Sequence, residues 1–156
     1  MKNLNLKKQE RSYLKLNRII LTVVFAIITL VLSTGIFFVP LALWAFATVI
    51  AAVWLLYWLL FIYQSAEYKH FSYTMDDYGL YINRGVFWRK KIIVPRNRVQ
   101  HTDITQGPLD RKYDLAELIV HTAGTRNASV KLPGILHANA ETLRKSLSFA
   151  ESQDAV

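Results

Sequence analysis

Hydrophobic and polar positions follow three successive patterns along the chain. From Ile19 to Ala66 the sequence is apolar and uncharged, without a polar stripe at helical spacing. A spanning helix needs about 20 residues, so this run is too long for one and divides into two, Ile19–Phe38 and Leu41–Tyr63, around a break at Ser33–Pro40. Pro40 falls near a helix start, where its missing N–H costs little. Only helices satisfy their own backbone in lipid within a single segment, and the run therefore predicts a two-helix hairpin. After Glu67 the pattern changes to short alternating segments bounded by turn residues, the signature of antiparallel strands. Phe71, Tyr73 and Met75 alternate, Asp76-Asp77-Tyr78-Gly79 reads as a turn, Leu80 and Ile82 continue a second strand, and Arg84-Gly85 turns into a third, Val86–Val94, which Pro95 ends. Val99–Gln106 alternates again, Gly107-Pro108 leads into a short segment, Leu109–Leu115, and two further strands, Glu117–Thr122 and Ala128–Leu132, flank a glycine- and asparagine-bearing connection, with Pro133-Gly134 closing the sheet region. Leu136, Ala140, Leu143 and Leu147 then share one face of an amphipathic helix. The predicted fold class is a membrane α-helical hairpin plus an α+β domain, in which a bent antiparallel sheet or small barrel is capped by a C-terminal helix. The divisions are a basic cytoplasmic N-terminal segment (1–18), the transmembrane hairpin (19–66), a cytoplasmic domain (67–150) and a tail (151–156).

Charge sharpens this picture. The formal net charge of +8 is unevenly spread: residues 1–18 hold Lys2, Lys7, Lys8, Arg11, Lys15 and Arg18 against Glu10 alone, residues 67–156 hold thirteen basic and ten acidic side chains, and none lies between. Basic residues flank both ends of the hairpin while its short connection carries none, which places both termini on the cytoplasmic side of the membrane as a multi-pass protein. Trp44 at one end, and Tyr57, Trp58 and Tyr63 at the other, suit interfacial aromatic belts, with Trp54 deeper. Ala47 and Ala51 are spaced for close helix approach, a weak signal beside ordinary hairpin packing. The spans contain no ionisable residue, so a transporter or proton relay lacks its usual ingredient and the helices read as an anchor. With no cysteine in the sequence, disulfides, thiolate metal sites and cysteine nucleophiles are excluded.

Ordered motifs in the second half carry a resemblance. Val94-Pro95-Arg96-Asn97-Arg98-Val99-Gln100-His101, Gln106-Gly107-Pro108-Leu109-Asp110-Arg111, His121-Thr122-Ala123-Gly124 and Leu132-Pro133-Gly134 together resemble the bacterial pleckstrin-homology-like (PH-like) YdbS family. The resemblance covers about Tyr68 to Leu147, and the family's preceding two-span hairpin extends it over nearly the whole chain. It implies a PH-like sheet capped by a C-terminal helix, no established enzymatic activity, and, in a bacterial inner membrane, a complex with a larger multi-spanning protein carrying related domains. In the family the middle motif commonly continues as arginine, two variable residues, glycine and leucine. Here it reads Arg111-Lys112-Tyr113-Asp114-Leu115, and Asp114 in place of glycine puts in doubt any role that needs the bare backbone.

Candidate chemistry is sparse. His70, His101, His121 and His137 show no ligand-pair spacing, although His101 and His121 fall on adjacent predicted strands; no metal or cofactor is expected. Asp76 and Asp77 have the composition of a turn that bonds its own backbone, and Asp103, Asp110 and Asp114 are read as local ion pairs with Arg98 and Arg111. Arg89, Lys90 and Lys91, with Arg96, form the densest basic cluster and are the expected contacts with anionic lipid. Arg98, Gln100, Gln106 and Arg111 are motif residues that either satisfy backbone groups or form a partner surface. Phe87 and Trp88 are read as strand packing against membrane or helix, so nucleic-acid binding is not expected. The functional expectation is a non-enzymatic, membrane-anchored module that assembles with itself or with the larger membrane partner in envelope maintenance; the alternatives are an anionic-lipid sensor and, more distantly, an enzyme, for which His101 and His121 converging with a carboxylate in an apolar pocket would be the sign.

Overall fold

The computed structural model describes residues 6–35, 43–123 and 129–148. Contacts divide the chain into two units, Leu14–Ala66 and a second made of Met1–Tyr13 with Glu67–Val156.

The first unit is built from helices α1 (Arg11–Gly35) and α2 (Leu43–His70), both long and apolar enough to cross a membrane. The helices overrun the apolar stretch, because Arg11–Arg18 and Gln64–His70 contain no residue that breaks a helix. Pro40 and most of the predicted break lie outside the described residues. Side chains hold the helices antiparallel. The Arg18 guanidinium sits 4.2 Å from the Phe61 ring centroid and donates to Ser65 Oγ at 2.7 Å. One turn further along, Thr22 Oγ1 lies 3.1 Å from the Tyr57 hydroxyl, and Phe25 meets Tyr57 edge-on at 5.5 Å. Tyr57 therefore faces α1, whereas Trp44 and Trp58 are exposed.

In the second unit, strands β1 (Ser72–Met75), β2 (Gly79–Arg84) and β3 (Lys90–Pro95) form one antiparallel sheet in that order. After a single 3-10 turn, Arg96–Arg98, strands β4 (Val99–Thr105), β5 (Leu115–Thr122) and β6 (Ser129–Leu136) form the other, with the short helix α3 (Pro108–Lys112) between β4 and β5 and helix α4 (His137–Ser148) at the end. Alternation places Leu80, Ile82 and Val94 from the first sheet, Leu118, Val120, Leu132 and Ile135 from the second, and Ala140 and Leu147 from α4 in one buried cluster. The helix caps the sheets as the periodicity of its leucines requires.

Two strand boundaries differ from expectation by four residues. The third strand starts at Lys90, not Val86, because Gly85 adopts φ +105° and a Cβ there would run into the Trp88 carbonyl; the turn consumes the intervening residues. The last strand does not stop at Pro133-Gly134. Leu132 pairs with Leu118 and Ile135 with Ala116, so Pro133 and Gly134 oppose Glu117 as a bulge and pairing resumes to Leu136. Proline is tolerated there because β6 is an edge strand.

The N-terminal segment also has an unforeseen position. Lys7 exchanges two backbone hydrogen bonds of 2.8 Å with Tyr73 of β1, while the Glu10 N–H donates to the Gly134 carbonyl at 2.8 Å and Gln9 Nε2 to the Pro133 carbonyl at 3.0 Å. Lys7–Glu10 is thus a strap between the edges of the two sheets, and not a free basic segment. Burial, and then the nearby Glu10 carboxylate, push the Tyr73 phenol up from its ordinary value, so it stays neutral beneath the strap. Gly134, at φ +70°, lies so close to the Tyr13 ring that no Cβ fits between them. Gly134→Ala combines a left-handed backbone with overpacking and is expected to destabilise the chain by about 2–4 kcal/mol. Thermal unfolding in detergent checks the loss, and hydrogen exchange should show the Lys7 amide losing protection first.

Candidate functional sites

The β2–β3 turn presents the most exposed aromatic pair of the second unit. Arg84 pairs with Lys90 and Asn83 with Lys91 at the last rungs of the hairpin, and the left-handed Gly85 closes it tightly. Phe87 and Trp88, 81% and 84% exposed, stand at its tip, with Arg89, Lys90 and Lys91 exposed directly behind them. The aromatic pair, expected on a strand, lies in the turn instead. Arg96 does not join the cluster: Gly79 pairs with Pro95 at the opposite end of β3, so Arg96 lies about 20 Å along the strand from Lys90.

Motif residues fall into structural and surface roles. Gln106 Nε2 donates to the Leu115 carbonyl at 2.7 Å and ties the end of β4 to the start of β5. Arg98 offers its carbonyl to the Ala123 N–H at 2.9 Å, with its side chain exposed. Gln100 occupies the register shift between Val99 and His101, and Arg111 is exposed on α3. These four do not form one surface patch by strand placement, since Gln106 is committed to backbone. Asp76 Oδ1 accepts the Tyr78 and Gly79 N–H groups at 2.9 and 3.0 Å, which is the turn chemistry its sequence predicts. Burial and the Asp76 carboxylate also push the Tyr81 phenol up.

The acidic residues near Arg98 and Arg111 do not pair with them. The Asp110 carboxylate accepts the Gly107 N–H at 3.1 Å at the start of α3. Asp114 takes φ +54° and its carbonyl accepts the His137 N–H at 3.0 Å, so the turn survives where the family motif has glycine. Asp103 goes instead to His121, with Oδ2 3.2 Å from Nε2. His101 and His121 are direct partners across β4 and β5, and their rings stack at 4.1 Å and 11°. Strand register produces this triad: His101 and Asp103 are two apart on the outer face of β4, and His121 opposes the first of them. The adjacency of the histidines was legible as neighbouring strands; Asp103 required the register. The face is open, with His101 and Asp103 exposed and His121 partly so, and the apolar enclosure that would mark an enzyme pocket does not surround it.

Comparison with known proteins places these features in a family. The family model described as Bacterial PH domain matches residues 16–150, a span that takes in the hairpin as well as both sheets. UPF0699 transmembrane protein YdbS of Bacillus subtilis (strain 168) is 32% identical over 136 residues, covering 86% of this chain and 83% of that protein. No solved structure matches the chain.

Because Asp114 carries a left-handed backbone, Asp114→Gly is expected to raise stability by about 0.5–1 kcal/mol and Asp114→Val to lower it by about 1–2 kcal/mol. Paired thermal melts of the two variants check the sign.

Proposed function

We propose that this chain, which belongs to the bacterial PH domain family, is a membrane-anchored, non-enzymatic interaction module. The two helices form a multi-pass anchor in the bacterial cytoplasmic membrane, with both termini cytoplasmic. The PH-like domain assembles with a second copy or with a larger multi-spanning membrane protein carrying related domains, in a complex that maintains the envelope. The observation that carries this reading is the hairpin tip, where Phe87 and Trp88 are held out from the core by a glycine turn. Large aromatic side chains beside basic ones are the usual anchors of protein interfaces, and two of them left exposed on a short turn call for a surface beyond the domain. The transmembrane character of the Bacillus subtilis relative and the exposed apolar helices support the anchor.

A second reading is favoured by a different feature of the same tip. Arg89, Lys90 and Lys91 follow the aromatic pair without interruption, and each basic residue near an anionic bilayer contributes on the order of 1 kcal/mol, while the rings suit the headgroup boundary. In that case the tip docks onto lipid.

A photo-reactive amino acid placed at Trp88 in native membranes separates the two. Assembly predicts a discrete protein adduct, either a dimer of this chain or a heavier partner band, that diminishes several-fold in a Phe87→Ala background. Adducts confined to lipid contradict assembly and support the second reading, which further predicts that Arg89→Ala, Lys90→Ala and Lys91→Ala together reduce the lipid adduct and that added salt does the same.

A further inference from the structure

The outer face of the second sheet carries a feature that neither membrane anchoring nor assembly uses. His101, Asp103 and His121 each offer one ligand atom, and those atoms all lie within 4.8 Å of one another. Among the described residues, it is the place where three such donors converge. We infer that this triad is a binding site for a divalent late transition-metal ion, zinc being the type, held by two imidazoles and one carboxylate with a fourth position open to solvent.

The donor chemistry fits, and the geometry fits once the stacked rings, 4.1 Å apart and 11° from parallel, tilt to aim both nitrogen lone pairs at one ion. Two histidines and a carboxylate are a donor set that zinc accepts at about 2.0–2.2 Å per bond, and a tetrahedral ion of that size separates its donors by about 3.3 Å. His121 Nε2 and Asp103 Oδ2 already stand 3.2 Å apart. The remaining adjustment for His101 is up to about 1.5 Å on this scale, which tilting the imidazoles out of their stack supplies. All three positions lie on paired strands and not on a loop: His101 opposes His121 in register, and Asp103 follows two residues along the same face. The backbone entropy of assembling the site is therefore spent in folding the sheet.

The alternative is a plain surface contact. At 57% exposure for Asp103 and 30% for His121, such a pair contributes at most about 1 kcal/mol, and it leaves the stacked His101 ring without a role. Ion binding uses all three residues. It would also clamp β4 to β5 beside the bulge at Gln100, and its open fourth position, as in three-ligand zinc sites, would hold water or a donor from a partner.

Zinc titrated into the full-length chain in detergent, followed by calorimetry and repeated with cobalt to read the coordination by its visible absorption, tests the site. One ion per chain is expected, with affinity lowered about tenfold or more by Asp103→Asn or His121→Ala and unchanged by His70→Ala. Zinc should raise the thermal transition of the native chain and not that of the His101→Phe, His121→Phe double variant, whose rings preserve the stack but donate nothing. Circular dichroism of each variant establishes that it is folded. Absence of saturable zinc binding by the native chain, or binding that persists unweakened in the folded double variant, overturns the assignment.

Discussion

Apolar helix surface must be covered, and among the described residues almost nothing covers that of α1 and α2. Of their most apolar stretches, 11% and 0% are buried, whereas the core helix of a soluble domain hides its apolar side against neighbours. Leaving residues such as Val23, Ile27, Leu55 and Leu59 in water forfeits on the order of 1.5–3 kcal/mol for each large side chain, a cost that the small PH-like core has no means of offsetting. A bilayer removes it. The same constraint explains why Arg18, Thr22 and Tyr57 turn toward the facing helix or its end, where a guanidinium, hydroxyls and rings meet one another.

An antiparallel hairpin also returns the chain to the end from which it left, and the second unit exploits this. The residues before α1 and those after α2 belong to one body, joined by the Lys7–Tyr73 backbone pair and continued by Gln9 and Glu10 to the bulge of β6. The Leu132-Pro133-Gly134 motif thereby gains a physical meaning. Pro133 and Gly134 offer carbonyls to the strap, and the bare Gly134 backbone makes room for Tyr13. A sheet edge that would otherwise present unpaired groups is partly covered in the process.

Much of the architecture was legible because it rests on periodicity. The uncharged run gives two helices, alternation gives the strands around Leu80, Leu118 and Val120, and the leucine spacing gives α4. What escaped depends on contacts distant in sequence. The strap could not be read from Lys7–Glu10, whose basic composition resembles any juxtamembrane segment, because its partners lie at Tyr73 and Pro133-Gly134. Pro133-Gly134 looked like a strand end since proline and glycine usually are; only the pairing of Ile135 with Ala116 shows a bulge. Sequence proximity groups Arg96 with Arg89–Lys91, yet a strand carries it to the far end. At the histidine cluster, the sequence places the two rings on neighbouring strands, while Asp103 stands near arginines in sequence and meets its neighbour, His121, only through register.

The proposed placement of the domain against the cytoplasmic side of a membrane is the premise on which its partners depend. The sequence contains no cysteine, so single cysteines introduced at Thr34, near the connection between the helices, and at Thr105, on the exposed face of β4, report the topology directly through a membrane-impermeant thiol reagent. In spheroplasts the Thr34→Cys chain should label at once and the Thr105→Cys chain only after the membrane is permeabilised. Labelling of Thr105→Cys in intact spheroplasts, with Thr34→Cys protected until permeabilisation, would place the domain outside and contradict the proposal.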